Sequence, residues 1–252
     1  MRSSRRIATN AKEYRENYAR DTGLDQDSDY RGSMVSAEQI RSVELFRDLD
    51  EETLQAIAAK SSTRQLQRGD VLFTEDDEPH ELFVVLSGRI AMVNRSIDGR
   101  ESVVALMEPG DLFGEMPLFD DQHRSTDGRA LEPSEVIITP YAPLKELYLR
   151  QPAQLWRVVR LLAGRLRVMD GVLADSVFLD VTGRTAKRLL EIAGDSDDFS
   201  LPVTQEELAG MVGASRERVN KAIASFVRLG WLEQRDRRYH ILKRNELELR
   251  SR

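Results

Sequence analysis

The run from Pro152 to Asp180 constrains this chain more than any other stretch. Leu155, Val159, Leu162, Leu166, Met169 and Leu173 recur at alternating steps of four and three. That is the a/d spacing with which two helices pack knobs into holes. Pro152 suits a first helical turn, and Arg157, Arg160, Arg165 and Arg167 fall off the seam, where water reaches them. A second apolar row, Val158, Leu161, Val168 and Val172, is expected to face the chain's own core. At ~1.5 Å per residue such a helix is roughly 40 Å long. Two apolar faces call for two partners, the rest of this chain and a second copy of it. The alternative is an ordinary core helix in a monomer. Gly164 and Gly171 weaken the helix by up to about 1 kcal/mol each against Ala, and they permit close backbone approach.

The 252 residues leave room for two ordinary domains. A formal net charge of -6 argues against a wholly basic nucleic-acid coat but not against a local basic patch. There is no cysteine, which excludes disulfides, thiolate zinc sites, thiolate-held iron–sulfur clusters and cysteine nucleophiles. The three histidines, His80, His123 and His240, are far apart, so neither a metal site nor haem ligation is expected. No apolar run approaches ~18 residues, so a cytoplasmic protein with no membrane partner is expected.

Residues 1–36 are largely polar, without apolar periodicity, and read as a disordered N-terminal extension. Residues 37–61 read as helical, with Asp50 as an N-cap and Leu49 packing on Leu54. The period then changes. Val71-Leu72-Phe73, Leu82 to Leu86, Ile90 to Val93, Val103 to Met107 and Val136-Ile137-Ile138 are short apolar runs. Turn signals such as Arg68-Gly69-Asp70, Asp98-Gly99 and Pro109-Gly110-Asp111 separate them. Many short strands at regular intervals predict an antiparallel sandwich or jelly roll. A short helix from Pro143 to Leu149 leads into the long one. Helical patterns resume at Arg184 to Ala193, Thr204 to Val212 and Ser215 to Gly230, with Gly194 to Ser200 as a polar linker and a hairpin from Trp231 to Leu242.

Thr204 with Glu207 is a capping box. Leu208, Ala209 and Val212 form one inner face, Gly213 permits a sharp turn, and Ser215 caps a second helix with inner face Val219, Ala222, Ile223 and Phe226. Helix, tight turn and capped helix make a helix-turn-helix, whose second helix enters a major groove of double-stranded DNA. Arg216, Glu217 and Lys221 lie on its polar face; Arg and Lys suit guanine edges, and Glu suits the cytosine amino group. Thr204, Ser215, Arg218 and Arg237 complete the candidate DNA-binding set. Between Ser215 and Arg238 seven basic residues face three acidic ones, the opposite balance to the whole chain.

Phe113-Gly114-Glu115, Arg124-Ser125-Thr126, Phe178 to Arg184 and Ala214-Ser215-Arg216-Glu217 occur in this order. With their spacing, the chain resembles bacterial transcription regulators of the cyclic-AMP receptor protein and FNR (Crp-Fnr) family. The resemblance implies an α+β chain: an N-terminal β jelly-roll of the cyclic-nucleotide-binding type over 37–150, a long dimerisation helix over 151–180, and a C-terminal winged helix-turn-helix over 181–252. It implies a homodimer on inverted repeats of TGTGA-like half-sites about 34 Å apart, contact with RNA polymerase, and no enzymatic activity. It further implies that Gly114, Glu115, Met116, Arg124 and Ser125 hold cAMP or another cyclic nucleotide. Gly114 gives a backbone N–H, Glu115 accepts the ribose 2′-hydroxyl, and Arg124 and Ser125 take the phosphate. The alternative is that Arg124 only pairs with Glu115 or Asp127. Where nucleotide-binding members carry Thr-Ser or Thr-Asn to reach the adenine, this chain has Met169-Asp170. Asp127 places a carboxylate beside the phosphate site, and Glu75-Asp76-Asp77-Glu78 lacks the usual glycine. A cyclic-di-GMP-responsive regulator, or one needing no ligand, is the alternative function.

Overall fold

The computed structural model describes residues 34–95, 101–236 and 238–252. Residues 1–33, the Asp98-Gly99 turn and Arg237 lie outside the described residues. The first half holds strands β1 Ser62–Leu66, β2 Val71–Phe73, β3 Glu81–Ser87, β4 Ile90–Arg95, β5 Glu101–Met107, β6 Leu112–Phe113, β7 Asp127–Ala130 and β8 Ser134–Pro140. They pair antiparallel into two four-stranded sheets, β1-β8-β3-β6 and β2-β7-β4-β5. Between the sheets lie Leu66, Phe73, Phe83, Val85, Ile90, Met92, Phe113, Val136 and Ile138.

The continuous apolar runs in the sequence have a physical cause: several strands are buried on both faces. Phe83 and Val85 of β3 point between the sheets, while Leu82 and Val84 point outward under the helices. Those helices are α1 Ala37–Arg41, α2 Glu51–Ala58 and, later in the chain, α4 Tyr141–Arg150; α3 is the short Met116–Asp120. Asp50 accepts the Thr53 N–H at 2.8 Å as the expected cap. In β4, Ile90 and Met92 face the sandwich core, and Ala91 and Val93 face the second half of the chain.

A 3₁₀ turn, Pro152–Gln154, leads into α5, Leu155–Phe178. Of the apolar seam, Leu155, Val159, Leu166, Met169 and Leu173 are exposed, while Leu162 packs on the β domain. The second row corrects the expectation: Val158 is buried and Leu161 packs on the β domain, but Val168 is 68% exposed and Val172 41%. The β domain holds α5 at Val158, Leu161 and Arg165, within its first three turns; beyond them, among the described residues, Val168 and Val172 stay exposed. Two of the arginines assigned to water are engaged instead: Arg157 pairs with Asp48 and Arg165 with Glu115.

The second half contains α6 Val181–Ala193, β9 Asp198–Ser200, α7 Gln205–Val212, α8 Arg216–Arg228, β10 Leu232–Arg235, β11 Arg238–Ile241 and α9 Arg244–Arg250. The stretch expected as a linker thus contains β9, which adds to the wing hairpin in the order β10-β11-β9. Helix α7 sits on edge strand β5. Ser102 Oγ donates to the Gly210 carbonyl at 3.1 Å, and Arg129 of β7 reaches Glu101 at 3.0 Å and Glu207 at 3.5 Å. Ala91, Val93, Val103 and Leu131 of the sandwich join the core of the helical domain. Among the described residues no helix is long and apolar enough to cross a membrane.

Candidate ligand cassette and nucleic-acid interface

The turn after β6 and the turn before β7 bring three of the expected residues together. Gly114 has φ +75°, and a Cβ there would stand 2.6 Å from Arg124 Nη1. Only glycine gives both the backbone angle and the space. Glu115 follows, fully buried; its Oε1 accepts from Arg165, while its Oε2 has no partner among the described residues. Arg165 also donates to the Leu112 carbonyl.

Arg124 is buried beside aromatic faces, its guanidinium carbon 4.5 Å from the Phe73 ring centre and 5.3 Å from that of Phe83. Its Nη1 donates to the Gly114 carbonyl at 2.9 Å and to the Tyr141 hydroxyl at 3.2 Å, and its Nη2 donates to the Glu81 carbonyl at 2.7 Å. All three acceptors are uncharged at neutral pH. Burial lowers the Arg124 pKa, opposed by Tyr141, Glu81 and Asp77. Of the five N–H groups an arginine carries, these bonds use three. Nε is buried with no partner among the described residues. It shares the side-on edge of the guanidinium with Nη2.

The pairing of Arg124 with Glu115 or Asp127 is not what the chain adopts. Asp127 accepts the Glu75 N–H at 2.7 Å and pairs with Arg95 at 2.9 Å. Asp76 takes the glycine-like φ of 69° in the acidic turn, and its N–H donates to the Arg124 carbonyl at 3.1 Å. Ser125 and Met116 are exposed at the rim, and Met169 and Asp170 are exposed on α5. Two cassette residues escaped the sequence reading. Arg165 looked like one of several off-seam arginines, and Tyr141 carried no signal beyond following Pro140. Burial pushes the Tyr141 hydroxyl up to about 12, so it keeps its proton at neutral pH.

The helix-turn-helix closes as its spacing predicts. Thr204 Oγ1 accepts from Glu207 N at 3.2 Å, and Glu207 answers at the Thr204 N–H at 2.7 Å. Gly213 ends α7 with φ 68°, and Ser215 caps α8. Leu208, Ala209, Val212, Val219, Ala222, Ile223 and Phe226 are buried as expected. Arg216, Glu217, Arg218 and Lys221 stand in water on the opposite side. Lys221 pairs with Glu217 at 2.7 Å and lowers its pKa. Thr204 is half-buried at the α7 cap. Arg184 ties the turn to the hinge: it donates to the Val212 carbonyl at 2.8 Å and to the Leu179 carbonyl at 2.7 Å.

Residues 63–151 match the family described as a cyclic nucleotide-binding domain, and residues 183–250 match the Crp-like helix-turn-helix domain. The chain is 34% identical over 195 residues to the CRP-like cAMP-activated global transcriptional regulator of Mycobacterium tuberculosis, covering 75% of this chain and 87% of that protein. It is 30% identical over 187 residues to the cAMP-activated global transcriptional regulator Vfr of Pseudomonas aeruginosa, covering 70% and 87%. The solved structure of CLP, a c-di-GMP responsive global regulator of Xanthomonas campestris, aligns with TM-score 0.66 at 25% identity over 76% of this chain and 99% of that one. FixK2 of Bradyrhizobium japonicum shares the fold, with TM-score 0.69 at 19% identity over 76% and 98%.

Proposed function

The chain belongs to the Crp-Fnr family of transcription regulators, and we propose that it works as a cytoplasmic homodimer gripping an inverted-repeat operator under control of a cyclic nucleotide, cAMP first. It is a DNA-binding regulator and not an enzyme. In this reading residues 37–150 sense, 151–180 dimerise and 181–252 read DNA. RNA polymerase is the downstream partner.

One observation carries the ligand assignment. Among the described residues the cassette holds a buried donor without an acceptor, Arg124 Nε, and a buried acceptor without a donor, Glu115 Oε2. Leaving such groups unpaired costs about 1–3 kcal/mol each, more when charged. A cyclic phosphate next to a ribose hydroxyl supplies both missing partners. The unmatched Nε lies on the Nε–Nη2 edge of Arg124, the side of a guanidinium whose shape suits phosphate oxygens. The second copy is supported by α5, where Leu166, Met169 and Leu173 are 60%, 67% and 64% exposed along one seam. The second reading, a regulator that needs no nucleotide, is favoured by Arg165, which already holds one oxygen of Glu115.

Fluorescence anisotropy on a labelled palindromic duplex tests the proposal, with and without cAMP, alongside calorimetric titration of cAMP and cyclic di-GMP. Operator affinity rising with cAMP is expected. Operator affinity indifferent to both nucleotides favours the ligand-free reading, and a monomer that ignores palindromes ends the proposal.

A further inference from the structure

Arg124 is fixed in two ways. The Phe73 and Phe83 rings, stacked on each other, pack against its guanidinium, and three acceptors set its rotation within its own plane. Two of the acceptors are backbone carbonyls, which no substitution removes. The third is the hydroxyl of Tyr141, the first residue of α4. That hydroxyl also donates to the Gly114 carbonyl. Arg124 Nη1, Tyr141 Oη and Gly114 O therefore close a ring of hydrogen bonds in which both Nη1 hydrogens are used.

The consequence is geometric. With both Nη1 hydrogens used, Arg124 cannot present its end-on edge, Nη1 with Nη2, to an anion. Among the described residues the unmatched donor is Nε, which belongs to the side-on edge it shares with Nη2. We infer that Tyr141 is a positioning residue that commits Arg124 to a side-on grip of the ligand's phosphate, an inference that rests on the cyclic-nucleotide reading of the cassette. The hydroxyl does not touch the ligand. It acts by consuming the arginine hydrogen that would otherwise admit a second mode of approach. Tyr141 begins α4, the helix that precedes the proposed dimerisation helix in the chain.

The test uses the full chain and three probes: cAMP and its two phosphorothioate diastereomers, which differ in which exocyclic oxygen is replaced by sulfur. A single fixed fork distinguishes the two oxygens, so the wild type binds one diastereomer more tightly than the other. Tyr141→Phe keeps the ring and removes the hydroxyl. It is expected to bind cAMP roughly tenfold more weakly, the loss of about one hydrogen bond to a charged group, and to compress the diastereomer preference at least threefold. A merely structural role would weaken both diastereomers alike and leave their ratio unchanged, which would overturn the inference. In an Arg124→Lys background, which has no fork, Tyr141→Phe is expected to change neither affinity nor preference; additive losses there also overturn it. A Tyr141→Phe chain that does not fold overturns it as well, because the hydroxyl then serves the fold. A wild-type chain that binds none of the three probes removes the cyclic-nucleotide reading itself, and this inference with it.

Discussion

The ligand cassette and the reading head place their charges in opposite environments. On α8 the charged groups Arg216, Glu217, Arg218 and Lys221 stand in water over a closed apolar core. In the cassette, Arg124 and Glu115 are buried, each with one polar atom unmatched. An exposed charge keeps its hydration until a partner arrives, so its removal alters recognition and leaves the fold alone. A buried charge has already lost its water, so its removal alters recognition and packing together. In the proposed function the reading end is thus specific at little loss of stability, and the sensing end is changed by what it binds.

The strongest test of this contrast is Arg124→Ala. It removes the fork and leaves the Glu81 carbonyl and the Tyr141 hydroxyl short of a donor. cAMP affinity should fall about 100-fold, roughly 2.7 kcal/mol, and the thermal shift given by saturating cAMP should vanish. A loss under threefold would mean that the phosphate sits elsewhere.

On the other side, Arg216→Ala should weaken operator binding by about 1–3 kcal/mol and relax base choice at one position. Its unfolding free energy should stay within about 0.5 kcal/mol of wild type, as for most surface substitutions. Binding-site selection with the variant decides the first point and urea unfolding the second. Unchanged sequence preference would remove Arg216 from the groove.

How well each region could be read in the sequence follows the same division. The reading head rests on contacts three or four residues apart: Thr204 with Glu207, Ser215 with Arg218, and the row Val219, Ala222, Ile223 and Phe226. Such local patterns are visible in a linear string. The cassette is assembled from β3, β6, β7, α4 and α5, and nothing local announces that Glu81, Tyr141 or Arg165 will meet Arg124 or Glu115. Strand β7, Asp127–Ala130, has no apolar run, and β6 spans only Leu112–Phe113, so periodicity could find neither. The apolar row on α5 was legible, but what covers it was not. A row records which residues avoid water and carries no information about where the neighbouring body stops.

A third prediction concerns the seam between the regions. At Gly210 a Cβ would meet Ser102 Cα and Val103 N at 3.3 Å and the Glu101 carbonyl oxygen at 3.4 Å. These are backbone atoms with little room to give. Gly210→Ala gains up to about 1 kcal/mol of helix propensity against this crowding and should be nearly neutral. Gly210→Leu cannot be housed without parting α7 from β5, and should lose about 1–2 kcal/mol. Calorimetric cAMP affinity should hold in both variants, because the cassette lies on other strands. A Gly210→Leu chain as stable as wild type would show that α7 does not rest on β5.

The smallest expected effect is at the hinge, where Asp180 combines features of both regions: a charge in water with a fixed set of partners. Its carboxylate accepts the Gly183 N–H at 2.8 Å as the cap of α6 and pairs with Arg250 at 2.5 Å. The Gly183 hydrogen bond first, and Arg250 after it, hold its pKa below the ordinary 3.8. A folded value below the unfolded one means that the stabilisation is complete above the unfolded value and is lost as pH falls through the folded one. The window therefore lies below about pH 4. The group is largely solvated, so screening limits the charge contribution to about 0.5 kcal/mol. Asp180→Asn keeps a capping oxygen and loses the charge. It should cost about that much at pH 7, and the gap from wild type should close as both are acidified. Urea unfolding at pH 7 and pH 3 measures both numbers. A gap that does not narrow between pH 7 and pH 3 would assign the stabilisation to the shape of the cap rather than to its charge.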